Sequence, residues 1–518
     1  MIDKITDLLK TAAGSLGINE ELAFKVEIPP RKDLGDYSSN IAILLARKLS
    51  QKPLELAKTL SEKVKAQDLD NVFQDIGVAT PGFINFKLSE EYLIKQTKDI
   101  LALKESWGNS SFGAGKRVLL EFVSANPTGP LHVGHGRWAV IGDVIARLLR
   151  KTGFSVDTEF YVNNIGNQVD KLYASVIARR EGKDIPEDGY GGAYVMDVKG
   201  KTIEEMIDFL LNEQKETLNA LGVSFNKYFL ESALHADGEV AGAVKKVEEL
   251  GKSFVEGGAV WFKSQELGDD KNRVLVREDG NPTYFAADIA YHLNKFSRGY
   301  DYLINIWGTD HHGYVKRLKS SLAALGQPVE KFEVIIGQLV SLYRGEEQIR
   351  MSKRTGEMIT LKELVDETGS DATRFFFAAT DVNSHLDFDM ELAKKHSSDN
   401  PVFYLQYAHA RICSILRKSQ NPNPESQIIP NIQSPIEKAE RDLMLKIIEW
   451  PDVVENAARL RHPHMLTEYG KELAITFHHF YEKCRVIGNP FRIMLSDASR
   501  ITLSNMLLLL GVSAPESM

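Results

Sequence analysis

At 518 residues the chain is longer than one hydrophobic core sustains, and its length points to roughly three domains. The net charge of −8 excludes an all-over basic polyanion binder, and 2 cysteines, Cys413 and Cys484, far apart among apolar neighbours, support neither a disulfide framework nor a cysteine-based zinc site. The charge is uneven: the part from Asn400 onward nets +1 and the first 399 residues −9, so any contact with nucleic acid must use local patches.

Residues Met1 to about Trp107 read as an α+β module. Ile41, Leu44, Leu45 and Leu49 form a helical stripe, Pro53 opens a second helix, and Phe83 to Phe86 suggest a strand. Gly108 to Gly115, rich in Gly and Ser, is a linker. A strand (Val118 to Val123), a helix carrying Trp138, Ile141, Ile145, Leu148 and Leu149, and a strand (Phe154 to Val162) then make a βαβ unit. A second unit follows at Tyr302 to Trp307, Tyr314 to Ala324 and Phe332 to Ile336. The two imply one doubly wound parallel sheet with a mostly helical insertion at about 163–282, and a ligand lying across the carboxyl ends of its strands. Beyond about His385 the pattern is helical, interrupted by a Pro/Asn/Ser-rich loop from Ser419 to Pro435. Apolar runs such as Met506 to Gly511 are too short to span a bilayer, and the first residues lack a secretory pattern, so a cytoplasmic protein without membrane contact is expected.

Chemistry concentrates in Ser124-Ala125-Asn126-Pro127-Thr128-Gly129-Pro130-Leu131-His132-Val133-Gly134-His135-Gly136-Arg137. The prolines and glycine force a sharp turn that delivers both histidines to a helix N-terminus, where free N–H groups and the helix dipole favour a polyanion. Gly134 lets a flat ring or a phosphate lie against the backbone. No serine or cysteine nucleophile neighbours the histidines, so hydrogen bonds to phosphate fit better than acyl-enzyme chemistry. The alternatives are a His-x-x-His metal pair on one helical face and two incidental polar residues at a helix start. Met351-Ser352-Lys353-Arg354-Thr355-Gly356 follows the second βαβ unit, and Lys353 with Ser352 suits charge developing on a leaving pyrophosphate.

Both stretches resemble the paired signatures of class I aminoacyl-tRNA synthetases, and the first is similar to the arginyl-tRNA synthetase version over its whole length. In the second, Arg350 stands where the signature has lysine and Arg354 where it has serine. Asp33-Leu34-Gly35-Asp36-Tyr37-Ser38-Ser39-Asn40 resembles the N-terminal tRNA-contacting domain of that family, and Asn400-Pro401, Tyr407 to Arg411 and Leu508 to Val512 resemble its helical anticodon-binding domain. The resemblance implies a Rossmann-like α/β catalytic domain (108–385) between an N-terminal α+β domain (1–107) and a C-terminal all-α bundle (386–518). It implies ATP with Mg2+, L-arginine and tRNA(Arg) as ligands, with no metal held by the protein, and a monomer. Catalytic roles fall on His132, His135, Ser352 and Lys353. Pro127, Gly129, His132, Gly134, His135, Met351 and Lys353 match ATP contacts, and Glu121, Ser124, Asn126, His135, Tyr284, Asp288 and His311 match arginine contacts.

The residues themselves support part of this assignment. A guanidinium calls for carboxylates, Glu121 lies in a strand just before the signature loop, and Tyr284 and Asp288 share a face if their segment is helical. Trp307-Gly308-Thr309-Asp310-His311-His312-Gly313 sits at another carboxyl edge, where Asp-His-His also matches a metal site. The rivals are a synthetase for another amino acid and a non-catalytic RNA-binding protein of the same fold.

Overall fold

The computed structural model describes residues 1–18, 23–349, 359–419 and 435–518. In helix α1 (Ile2–Gly14) the buried Ile5, Leu9, Ala12 and Ala13 recur at the spacing of one helical face. Strands β1 (Val26–Glu27) and β2 (Tyr37–Ser39), helices α2 (Ile41–Leu49) and α3 (Pro53–Gln67), and the hairpin β3 (Phe73–Ala79) with β4 (Phe83–Leu88) follow. The strands form an antiparallel sheet ordered β1-β2-β4-β3, and α4 (Glu90–Leu103) leads out of it. Gly35, at φ 110°, is needed in the turn before β2, because a Cβ there would stand 2.8 Å from the Phe86 carbonyl oxygen. The Asp36 carboxylate beside it accepts from Leu88 N at 2.7 Å and pairs with Arg441 at 2.6 Å. This run is therefore a clasp to the far end of the chain as well as a turn.

The central layer begins with β5 (Arg117–Glu121), α5 (Val133–Lys151) and β6 (Ser155–Val162). Next come α6 (Asn167–Arg180), α7 (Ile203–Ala220), β7 (Lys227–Leu230), α8 (Glu231–Ala236), α9 (Glu239–Glu249), and strands β8 (Ser253–Glu256), β9 (Ala259–Phe262) and β10 (Arg273–Val276). Helix α10 (Tyr284–Ser297) then leads to β11 (Tyr302–Gly308), α11 (His312–Ala324) and β12 (Phe332–Gly337). Five strands pair in parallel in the order β12-β11-β5-β6-β7. From β5 the chain winds outward to β6 and β7, then returns to the other side of β5 with β11 and β12. The order reverses between β5 and β11, where Glu121 faces Asn305 in register.

Both βαβ units fall within two residues of the sequence reading. The insertion differs, because β7 extends the central sheet and β8 to β10 form an antiparallel sheet of their own. Four-residue strands between long amphipathic helices carry too little periodicity to stand out.

After β12 come β13 (Val340–Arg344), β14 (Glu347–Ile349), α12 (Leu361–Thr368), α13 (Ser370–Ala378), β15 (Leu386–Asp389) and α14 (Met390–Lys394). Strand β15 pairs in parallel with β13, so the uniformly helical part begins only at Pro401. It comprises α15 (Pro401–Ser419), α16 (Lys438–Ile448), α17 (Trp450–Leu460), α18 (His464–Lys483) and α19 (Pro490–Leu510). By length and composition α19 would reach across a bilayer, which reading short apolar runs did not show, but 67% of its most apolar window is buried against its neighbours.

A continuous apolar core runs from α1 through α5 into this bundle. Arg374, 1% exposed, ties it together: Nε donates to Leu510 O at 2.9 Å, Nη1 to Leu221 O at 2.9 Å, and Nη2 pairs with Asp143 of α5. Cys413 and Cys484 are buried free thiols.

Candidate active site

The signature loop leaves β5 through a strained turn. Val123 (φ 69°) and Ser124 (φ 40°) both occupy left-handed backbone, which costs a β-branched residue about 1–3 kcal/mol. The turn lets Ser124 Oγ donate to Glu121 Oε1 at 2.8 Å and accept from Tyr161 N at 3.1 Å. Beyond it the loop is held from the insertion. Gln214 Nε2 of α7 donates to Asn126 O at 3.0 Å and Gly129 O at 2.8 Å, and the Tyr194 hydroxyl donates to Thr128 O at 2.7 Å. Gly129 accommodates the Tyr194 ring, 3.0 Å from where a Cβ would be. Pro127 is buried, whereas Asn126 is exposed and its amide donates to Gln168.

At the mouth of α5 the two histidines cap the helix reciprocally. His135 N donates to His132 Nδ1 and His132 N to His135 Nδ1, each at 3.3 Å, and the rings stack with centroids 3.5 Å apart. With both Nδ1 atoms accepting, a neutral ring carries its proton on Nε2, so each imidazole presents an Nε2–H donor. Gly134 serves this stack, because a Cβ there would meet His132 Cε1 at 3.0 Å. Arg137, one turn on and 0% exposed, donates to the carbonyls of Gln338 (3.0 Å), Leu339 (3.4 Å), Ser384 (2.8 Å) and Asp381 (2.9 Å). Burial lowers its pKa to about 10. Its role is to seat α5 against the strand ends.

Glu121, at the end of β5, belongs to an acidic and aromatic cluster with residues of α10 and α11. Tyr284 and Asp288 share the first turns of α10 and so one face; Tyr284 is exposed, while the Tyr314 hydroxyl donates to Asp288 Oδ2. Burial pushes the Asp288 carboxyl up to about 6, with the charge of Glu121 adding to the rise and Tyr314 and His311 opposing it. The His311 ring stands 5.7 Å from Trp307 and 6.3 Å from Tyr314. Glu121, 5% exposed, has a partner within the protein: Lys295, fully buried on α10, pairs with it and donates to Asn305 Oδ1 at 2.9 Å. A third carboxylate, Glu231, follows β7, and burial pushes it up to about 7, with Asp288 adding to the rise.

Sequence reasoning missed Lys295 and Glu231. Lys295 lies seven residues after Asp288, close to two helical turns, a spacing that would have flagged it. Glu231 follows a strand whose pattern did not stand out. A guanidinium set among these groups would favour their ionised forms, which is equivalent to their binding it.

Met351, Ser352 and Lys353, with Arg350 and Arg354, lie outside the described residues. Their described flank returns to the signature: Thr360 bridges to His132, and Leu361 N donates to Leu131 O at 2.8 Å.

Three family profiles match the chain: "Arginyl tRNA synthetase N terminal domain" over residues 3–88, "tRNA synthetases class I (R), catalytic domain" over 96–187, and "DALR anticodon binding domain" over 405–518. The arginine–tRNA ligase of Moorella thermoacetica is 43% identical, with 99% of this chain and 98% of the relative covered. That of Heliobacterium modesticaldum is also 43% identical, over 96% of this chain and 94% of the relative. In fold, the chain superimposes on Thermus thermophilus arginyl-tRNA synthetase with a TM-score of 0.81 at 24% identity, both chains fully covered.

Proposed function

The chain belongs to the arginyl-tRNA synthetase family, and from that premise we propose how its residues divide the work of a ligase that activates arginine with ATP and transfers it to tRNA(Arg). The arginine carboxylate attacks the α-phosphorus, pyrophosphate leaves, and the terminal ribose hydroxyl of the tRNA takes the arginyl group from the adenylate. Positioning and charge stabilisation carry both steps, with no covalent enzyme intermediate.

The guanidinium is taken by Asp288 and Glu121, with Glu231 supplying further negative charge and Tyr284 covering the entrance. Lys295 holds Glu121 in place and offsets part of the acidic charge. Ser124, Asn126, His135 and His311 address the α-amino and carboxylate end. The triphosphate, carried with its Mg2+, lies over the mouth of α5 along Pro127, Gly129 and Gly134, where His132 and His135 donate through Nε2. Ser352 and Lys353, next to Met351, neutralise the departing pyrophosphate from the other side. By the family resemblance we read the enzyme as a cytoplasmic monomer of three domains, 1–107, 108–385 and 386–518, without membrane contact.

The observation that carries this reading is the acidic cluster: Glu121, at the point where the strand order reverses, is paired to buried Lys295, and Asp288 and Glu231 are both held up by burial, with the charge of Glu121 adding to the rise at Asp288 and that of Asp288 at Glu231. The test is a crystal structure with a non-hydrolysable arginyl-adenylate analogue. The reading requires the guanidinium against Asp288 and the phosphate within hydrogen-bond distance of an imidazole Nε2; a guanidinium bound elsewhere refutes it.

A further inference from the structure

Asp381 lies in the loop between α13 and β15, His462 lies between α17 and α18, and His464, after Pro463, is the first residue of α18. None of the three has a part in the reaction above. Their ligand atoms all lie within 4.8 Å of one another. His462 Nε2 is 3.6 Å and His464 Nδ1 3.9 Å from the same atom, Asp381 Oδ2. Both separations are too long for a hydrogen bond, yet close to the edge of a tetrahedron built on metal bonds of about 2.1 Å, which is roughly 3.4 Å.

Two further observations point to a ligand. His464 Nδ1 is buried with no hydrogen-bond partner, a costly arrangement for a ring nitrogen aimed at a carboxylate. Asp381 Oδ1 accepts from Asn383 N at 2.8 Å, which fixes the carboxylate with Oδ2 turned to the histidines. The backbone is equally set: His462 N donates to Ala457 O at 3.0 Å, and Met465 N to His462 O at 3.2 Å. Arg137, the nearby buried cation, directs its Nη2 to the Asp381 carbonyl rather than the carboxylate.

We propose that Asp381, His462 and His464 form a binding site for a divalent transition metal of the zinc class. Two imidazoles and one carboxylate suit zinc better than magnesium or calcium, and three protein ligands leave one position for water. Asn383 and His462 line a cavity of about 630 Å³ running along the free edge of β12, which gives that water access. The loop from Asp381 to Ser384 is gripped by Arg137 of α5, so a metal here ties the signature helix to the turn between α17 and α18.

Full-length protein, freed of metal by chelator and dialysed, is titrated calorimetrically with Zn2+ alone and spectroscopically with Co2+ alone. The expected result is a single equivalent of Zn2+ and the visible bands of four-coordinate Co2+, with His464→Ala and Asp381→Asn each weakening affinity by about tenfold or more. His462→Gln serves as a further variant if His464→Ala misfolds, judged by circular dichroism. Undiminished zinc binding in folded variants overturns the proposal, as does a thiolate charge-transfer band placing cobalt at Cys413 or Cys484. No binding by the wild type overturns it equally.

Discussion

Replacing Asp288 with Asn keeps the side chain's shape and its oxygen for the Tyr314 hydroxyl while removing the charge. Breaking a desolvated guanidinium–carboxylate pair costs about 3–5 kcal/mol, and about 1.4 kcal/mol is tenfold in affinity, so arginine binding should weaken on the order of 10²- to 10³-fold. Folding should hold: the Asp288 carboxyl, pushed up to about 6 from an ordinary 3.8, disfavours the fold once ionised, so the neutral amide relieves that cost above pH 6. The same shift sets the pH dependence. Protonation destroys the guanidinium acceptor, so wild-type arginine affinity should fall as pH drops through about 6, approaching tenfold per unit, and Asp288→Asn should lack that step. Glu231, near 7, would give any slope left in the variant. Calorimetric titration with arginine, aminoacylation kinetics and a thermal melt measure these effects. Unchanged arginine affinity and an unchanged pH profile in a folded variant would refute the pocket.

Other substitutions probe the supports. Gln214→Ala deprives the Asn126 and Gly129 carbonyls of their donor and should cost about 1–3 kcal/mol in chemical denaturation while raising the Michaelis constants for both small substrates; unaltered kinetics would remove α7 from the site's architecture. Gly134→Ala puts a Cβ 3.0 Å from the His132 ring and should lower turnover on the order of tenfold with little change in stability, as steady-state kinetics beside a melt would show. Arg374→Ala leaves the Leu510 and Leu221 carbonyls without their buried donor and Asp143 with Arg147 as its partner, and should destabilise by about 2–4 kcal/mol; a denaturation midpoint like wild type's would mean that Arg374 does not tie α5 to the bundle.

What could be read from the sequence was local. The signature loop, both βαβ units and the pairing of Tyr284 with Asp288 on one helical face rest on spacings of a few residues, and side-chain periodicity reports those directly. Long-range partnerships were hidden. Lys295 meets Glu121 across 174 positions and Arg441 meets Asp36 across 405, and no periodicity links such pairs. Glu231 was overlooked for a different reason: only the four-residue strand β7 marks it as a carboxyl-edge residue. The approach of the His132 ring to Gly134 depends on the reciprocal cap at the helix mouth, which residue spacing alone does not indicate.

If His132 and His135 act on the triphosphate as Nε2–H donors, their Nδ1 atoms being engaged as helix caps, then removing the distal donor alone slows activation. Single-turnover formation of arginyl-adenylate, with tRNA present, measures this in His135→Asn and His135→Gln. Asn supplies an acceptor near the Nδ1 position but no distal donor, whereas Gln places an amide N–H near the Nε2 position. The expected result is a rate loss on the order of 10²-fold or more for Asn, partial recovery for Gln, and nearly unchanged ATP binding in both. Full activity in His135→Asn would contradict it.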